Sequence, residues 1–396
     1  MKSNYAYYKE IFKGVEMPFA FVDLEMLDRN IQEALNRAGG KKIRIASRAL
    51  RCPWLLRYIM EQDENFCGIL CFSAQEAVYL AEEGFDNLLI GYPTMQDSDI
   101  ESVLDMVDEG KRIIFTVDET RHLKKLEAIC KEMDIMAEVS IDIDMSVALP
   151  FLSRGFLRSA IPYADGVRSV LKEIEYLPHI RVAGIMGYES QISETTDIRP
   201  RKWFRNFMVK KMKQRAARII SRRRKSAMGI VEEMGFELDF FNGGGTGSIH
   251  HAIKEEVLTE ITIGSAFFGP SMLDHFRNLH YEPAAGYAIQ IVRQPAPDLF
   301  TCHGGGYVAS GKTGFEKAPV VYLPEGARLI PPAGAGEVHT PVRYQGREKL
   351  ELGDPVFLRH SKSGELCEHF NWLILVREGR IEADVPTYRG EGRCFL

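Results

Sequence analysis

Eight short apolar runs recur at a steady pace between residues 43 and 265. They are Ile43–Ser47, Gly68–Phe72, Asn87–Tyr92, Arg112–Val117, Ala137–Ile143, Arg181–Gly187, Glu237–Phe241 and Glu260–Ile263. Each is rich in Ile, Val, Leu or Phe and ends in, or is followed by, Gly, Ser, Asp, Asn or Pro, the pattern of a short strand covered on both faces. Amphipathic segments such as Ser73–Glu83 and Glu119–Met133 separate them. Eight strand–helix units in series predict an α/β chain closed into a parallel (β/α)8 TIM barrel. In such a barrel the reactive groups stand at the C-terminal ends of the strands. An open doubly wound sheet is the alternative.

After Pro270 the helical periodicity fades and Gly and Pro become frequent, as in Gly304–Gly306 and Pro331–Gly336. Tyr287–Arg293, Pro355–Arg359 and Asn371–Val376 read as antiparallel strands. The expected organisation is a barrel over residues 1–280 and an all-β domain over 281–396, with Phe19–Asp23 an early strand that pairs with the latter. A chain of 396 residues is long enough for two cores.

Composition narrows the function classes. Hydrophobic residues make up 45% and charged residues 27%, ordinary for a globular protein, and the net charge of −5 gives no global drive toward nucleic acid. Seven scattered cysteines, with Cys67 and Cys71 four apart, form no disulfide framework. Met1–Tyr5 lacks an apolar signal core, and no apolar run is long enough to span a bilayer, so the expected compartment is the cytosol. One segment breaks the charge balance: Arg201–Lys225 holds 12 Lys/Arg and no Asp/Glu, with Trp203, Phe204 and Phe207 near its start. It should be the helix between the sixth and seventh strands, with an extended lead-in. Its basic face is a solvated surface, a subunit contact, or a site for an acidic partner or membrane surface.

The candidate chemistry gathers at the strand ends. Asn242-Gly243-Gly244-Gly245-Thr246-Gly247-Ser248 follows the seventh run. Its glycines allow close approach to the main chain, as in loops that surround a phosphate with N–H groups. It is neither the dinucleotide fingerprint nor a P-loop. Gly264-Ser265 ends the eighth strand, and barrels often hold phosphate between their seventh and eighth loops. The bland reading is that both loops only close the barrel top. The fifth and sixth strands end in Asp142, Asp144, Tyr188, Glu189 and Gln191. On the first strand Arg44, Ala46 and Arg48 share one face, and Arg48 is expected at the barrel mouth, either in the site or in a strand-end ion pair. Farther on, His360, Cys367 and His369 form a potential metal-ligand cluster, although their spacing matches no closed structural zinc site. A polar network or subunit contact is the alternative there. The Gly/Arg run Pro386–Arg393 is expected to reach into a pocket of this or another subunit.

Met17–Asp23, Ile43–Cys52, Asn242–Ser248, Gly264–Pro270, Gly336–Pro341, Gly364–Phe370 and Pro386–Leu396 together carry a resemblance that runs nearly end to end. The chain is similar to pyridoxal-phosphate proteins of the alanine-racemase-like fold, in the D-threonine aldolase and D-serine dehydratase group. More closely, it resembles the bacterial amino acid deaminase/aldolase family. That resemblance implies pyridoxal 5′-phosphate (PLP) fold type III: a barrel with PLP at its mouth and a C-terminal β-domain completing the site, commonly in a homodimer. It implies a lyase, either a deaminase/dehydratase or an aldolase, acting on a small β-hydroxy amino acid of D configuration. The family's cofactor-binding loops fall on Asn242, Gly243, Gly244, Gly245, Thr246, Gly264 and Ser265, and its pocket positions on Asp142, Tyr188 and Gln191.

Two positions depart from the family. The Schiff-base lysine position holds Arg48, whose guanidinium stays protonated and cannot act as an amine nucleophile. Lys41 and Lys42 precede the strand, and six strand residues span roughly 20 Å, so neither reaches the mouth. Metal-dependent members pair a His with a Cys or Asp two residues later; here His360 is followed by Lys362. The expectation is therefore a lyase impaired at Arg48. The alternative is a non-catalytic relative that binds PLP or another phosphometabolite as a carrier, sensor or oligomer partner.

Overall fold

A computed structural model describes residues 4–150, 158–311 and 314–395, apart from the Phe315 side chain. Residues 1–3 of the Met1–Tyr5 stretch and Leu396, the last of the Pro386–Leu396 run, lie outside the described residues. The chain divides into two compact units. A sheet unit comprises residues 1–34, 49–55 and 265–394, and a barrel unit residues 35–48, 56–264 and 395–396.

In the sheet unit, β1 (Phe19–Asp23) pairs with strands from the far end of the sequence. These are β10 (Ala285–Ala296), β11 (Leu299–His303), β12 (Val320–Leu323), β13 (Ala327–Leu329), β14 (Thr340–Tyr344), β15 (Pro355–Arg359), β16 (Trp372–Arg377) and β17 (Arg380–Pro386). The sheet order is β13-β14-β11-β10-β1-β16-β17, and β15 joins β10 to β12. β1 runs antiparallel to β10 and parallel to β16, with Phe21 opposite both Gly286 and Ile374. All five β1 residues are buried, as a central strand requires. Residues 1–34 therefore group with 265–394 rather than with the barrel that follows them in sequence.

The barrel unit is a closed parallel barrel of eight strands. They are β2 (Lys42–Ala46), β3 (Phe66–Cys71), β4 (Leu88–Ile90), β5 (Ile113–Val117), β6 (Ala137–Asp142), β7 (Ile180–Gly187), β8 (Phe240–Gly243) and β9 (Glu260–Ile263). All eight apolar runs became strands. Closure comes from β9 returning to β2, with Ile43 opposite Ile261.

The barrel interior is a packed core, not a pore. Leu89, Ile114, Ala183, Met186 and Phe240 form one buried cluster. Phe240 lies across it because Gly184 has no side chain: a Cβ there would meet the ring at 2.5 Å. Above the ring, the buried Arg44 guanidinium stacks at 5.3 Å and makes a two-point ion pair with Glu260, Nε–Oε1 2.7 Å and Nη2–Oε2 3.1 Å. Arg44 Nη1 also donates to the Asn87 carbonyl at 2.7 Å.

The basic segment is a 31-residue helix, Trp203–Glu233. Its buried stripe follows three- and four-residue spacing through Asn206, Val209, Lys213, Ala216, Ile220, Arg224, Ala227 and Val231.

Candidate functional site

Most of the sequence-predicted groups lie at the C-terminal ends of the barrel strands, and the structure gives them different tasks. Asp142 closes β6, and its Oδ2 accepts from Arg158 Nε at 2.8 Å. Arg158 lies over the Tyr92 ring at 4.4 Å and also donates to the Gly91 carbonyl. Burial outweighs the guanidinium and pushes Asp142 up to about 6, while Asp142 Oδ1 has no partner among the described residues. Next along the barrel, Asp118 accepts from Ala160 N–H at 2.9 Å and lies 3.1 Å from His122 Nδ1. Burial pushes Asp118 up, but His122 and these hydrogen bonds prevail and hold it below its ordinary value.

Tyr188, just past β7, lies within range of Arg48. Burial and the Glu194 carboxylate push its phenol up, and the Arg48 charge pulls against them. The hydroxyl donates to Glu194 Oε1 at 3.3 Å. Arg48 itself stands in the helical turn Ser47–Ala49 after β2 and is exposed. Gln191 is spent elsewhere: its Oε1 accepts from Val147 N–H at 2.9 Å.

The glycine loop divides into two parts. Asn242, expected among the cofactor-binding groups, points into the barrel instead. Its Nδ2 donates to Glu260 Oε1 and to Thr262 Oγ1, both at 2.8 Å, and its Oδ1 accepts from Thr262 at 3.1 Å. The strand alternation that faces Asn242 inward leaves it no capacity for a ligand. Gly243 lies over the guanidinium of the fully buried Arg224, with a Cβ there meeting Nη2 at 2.9 Å. Arg224 bonds the Gly187 carbonyl at 2.6 Å, Glu255 Oε1 at 2.6 Å, and Glu189. Glu189 Oε2 in turn accepts from Gly244 N–H at 3.1 Å, so that donor is already committed. Burial pushes Glu255 up against the pull of Arg224.

The second part of the loop is open. Among the described residues, the N–H groups of Gly245, Thr246 and Gly247 have no hydrogen-bond partner. Gly245 packs directly on Tyr188 and Ser193: an added Cβ would lie 2.9 Å from Tyr188 Cε2 and 2.3 Å from Ser193 Oγ. Three successive free donors, backed by an aromatic ring, suit the phosphate of PLP. β8 and β9 are neighbours, so Gly264 leaves the barrel on the strand beside this loop. Ser265 opens the short helix Ser265–Phe268 of the sheet unit.

At the end of β2 Arg48 offers a guanidinium and no amine, and the two nearby lysines in sequence, Lys41 and Lys42, sit at the strand's start. Lys41 Nζ donates to the Glu255 carbonyl at 2.9 Å and Lys42 Nζ to the Glu64 carbonyl at 3.1 Å.

The proposed metal ligands are not brought together. Among the described residues no group of three or more His, Cys, Asp or Glu side chains could hold a metal ion. His360 is buried edge-on to Phe268, both ring nitrogens lack partners among the described residues, and burial pushes it down to about 3. Cys367 donates to the Leu50 carbonyl at 3.0 Å, and His369 stacks on Tyr307 at 4.2 Å.

Arg158, Arg224 and Glu255 are the residues that sequence reasoning missed. Arg224 carried a signal: it falls on the buried stripe of the long helix, where an uncompensated charge would be costly. Arg158 carried none, since its partner is reached only through the loop after β6.

Comparison with known proteins agrees with this architecture. The family model for the alanine racemase N-terminal domain matches residues 22–271. The 3-hydroxy-D-aspartate aldolase of Paracoccus denitrificans (strain Pd 1222) is 20% identical over 388 residues, 96% of this chain and 93% of that protein. The crystal structure of D-threonine aldolase from Filomicrobium marinum superposes with a TM-score of 0.80 at 19% identity, covering 95% of this chain and 96% of its own. That of D-threo-3-hydroxyaspartate dehydratase from Delftia sp. HT23 superposes with a TM-score of 0.73 at 16% identity, covering 94% and 98%.

Proposed function

The chain belongs to the alanine racemase N-terminal domain family, and on that premise we propose that it is a PLP-binding lyase-type protein with impaired turnover. Its substrate class is a small β-hydroxy amino acid of D configuration. The named activities of the aldolase and dehydratase relatives support that class. The observation that carries the reading is the run of free N–H groups at Gly245, Thr246 and Gly247, with Gly245 packed against Tyr188, whose phenol feels the Arg48 charge.

PLP, when bound, supplies an electron sink for breaking a bond at the substrate's α-carbon. The protein's own contribution is positional and electrostatic. The loop N–H groups hold the phosphate. Arg48 offers a fixed cation to carboxylates at the mouth. Asp142, raised to about 6 by burial, can hold or release a proton near neutral pH. Arg48 cannot link covalently to the cofactor, because its guanidinium keeps its proton.

That same residue favours a second reading, a non-catalytic PLP or phosphometabolite carrier or sensor. One experiment separates them. The protein is incubated with PLP, reduced with borohydride and weighed by mass spectrometry, alongside Arg48→Lys. No adduct is expected on the wild-type chain and a lysyl adduct on the variant. An adduct on a wild-type barrel-mouth lysine would overturn the assignment of Arg48. D-Threonine cleavage gained by Arg48→Lys supports the lyase reading, whereas an adduct without cleavage supports the carrier.

A further inference from the structure

The long helix Trp203–Glu233 carries a second feature that the barrel mouth does not explain. Its outward face continues as a single stripe at three- and four-residue spacing: Phe204, Phe207, Lys211, Arg215, Arg218, Arg222 and Lys225. All seven are exposed. Trp203 stands beside the stripe's start, 78% exposed, with Phe204 at 53% and Phe207 at 52%. Lys211 Nζ lies over the Phe207 ring at 5.7 Å, where the aromatic end meets the cationic run. Among the described residues, none of the five cations makes an ion pair or hydrogen bond with a protein group. The cationic run spans about 21 Å at 1.5 Å per residue.

Two costs are therefore unmet in water. Three adjacent large aromatics stay solvated on a face that could bury them. Five like charges share one stripe with no acidic residue from 201 to 225, on a chain whose net charge is −5. A surface that is anionic at its headgroups and apolar just beneath relieves both at once. Basic side chains lie at the headgroup level, and Trp and Phe enter the acyl boundary. A nucleic acid would satisfy the cations but offers no apolar layer to three clustered aromatics at one end. We infer that this helix docks the protein on an anionic lipid surface, lying along it through the Phe204–Lys225 stripe with Trp203, Phe204 and Phe207 inserted. Among the described residues no helix is long and apolar enough to cross a membrane, so the association is peripheral.

The test is co-sedimentation of the full chain with sonicated vesicles of phosphatidylcholine alone or containing phosphatidylglycerol. Binding is expected on the anionic vesicles only and should disappear at high salt. Arg218→Gln with Arg222→Gln should weaken it roughly 25-fold, at roughly fivefold per charge removed. Trp203→Ala with Phe207→Ala should weaken binding at unchanged salt dependence. It should also remove the blue shift in tryptophan emission that vesicles induce. Unchanged thermal unfolding of both exposed-residue variants shows that they fold. Equal affinity for neutral vesicles, no loss in the arginine variant, or salt-sensitive binding to a duplex oligonucleotide without any to vesicles would each overturn the inference.

Discussion

Arg158 Nε donates to Asp142 Oδ2 at 2.8 Å, yet Asp142 remains harder to ionise than a free aspartate because burial outweighs the attached cation. An acid whose pKa is raised on folding contributes stability below its unfolded value and loses it as pH rises through the folded value. For Asp142 that window runs from about 4 to about 6. Between those limits wild-type stability should fall with rising pH relative to Asp142→Asn, and the two curves should run parallel above pH 7. Urea unfolding at several pH values measures the difference.

Gly245 has no room for a methyl group, since an added Cβ would meet Ser193 Oγ and Tyr188 Cε2. Gly245→Ala should cost about 1–3 kcal/mol of stability by overpacking. It should also weaken PLP binding far more than Gly229→Ala, a change at a helical site with open space around it. Equilibrium dialysis against PLP gives the affinity ratio.

Arg224 holds two buried carboxylates, Glu189 and Glu255. Arg224→Met would leave both without their shared cation, at a cost of about 3–5 kcal/mol. The Gly244 N–H would keep Glu189 only partly satisfied, so glycine-loop amides should exchange faster with deuterium in the variant.

Arg44 and Glu260 are a buried pair of a different kind, enclosed by the barrel itself. Removing one partner leaves the other charged in the core; removing both leaves a core that can pack. Arg44→Met and Glu260→Gln should each destabilise strongly, and the double variant should be less damaged than the sum of the two. A double-mutant cycle by chemical denaturation reads the coupling directly.

Architecture was legible because it rests on patterns that depend on local spacing alone. The Glu260–Ile263 and Pro355–Arg359 runs coincide with β9 and β15, and the rest of the barrel runs overlap their strands. In the candidate site, what could be read ahead was the backbone. The loop at Gly245 could be read from composition, since any residue with a side chain would be excluded there. Asn242 was misplaced because the text of a loop does not reveal which residues still follow strand alternation and face inward. His360, Cys367 and His369 share a short segment, but neighbours in sequence after a strand diverge into separate environments. Ion pairs such as Asp142–Arg158 depend on where a long loop returns, which no local pattern encodes.

β1 has a consequence for the order in which the molecule can be made. Phe21 sits between Gly286 and Ile374, so the strand emerging early from the ribosome must wait for segments translated near the end. All eight barrel strands are complete in the nascent chain before either neighbour of β1 exists. For most of synthesis an apolar strand with two unpaired edges is therefore available to other chains. Expressing residues 281–396 alone would recreate that hazard from the other side, leaving β10 and β16 facing an empty lane in the middle of their sheet.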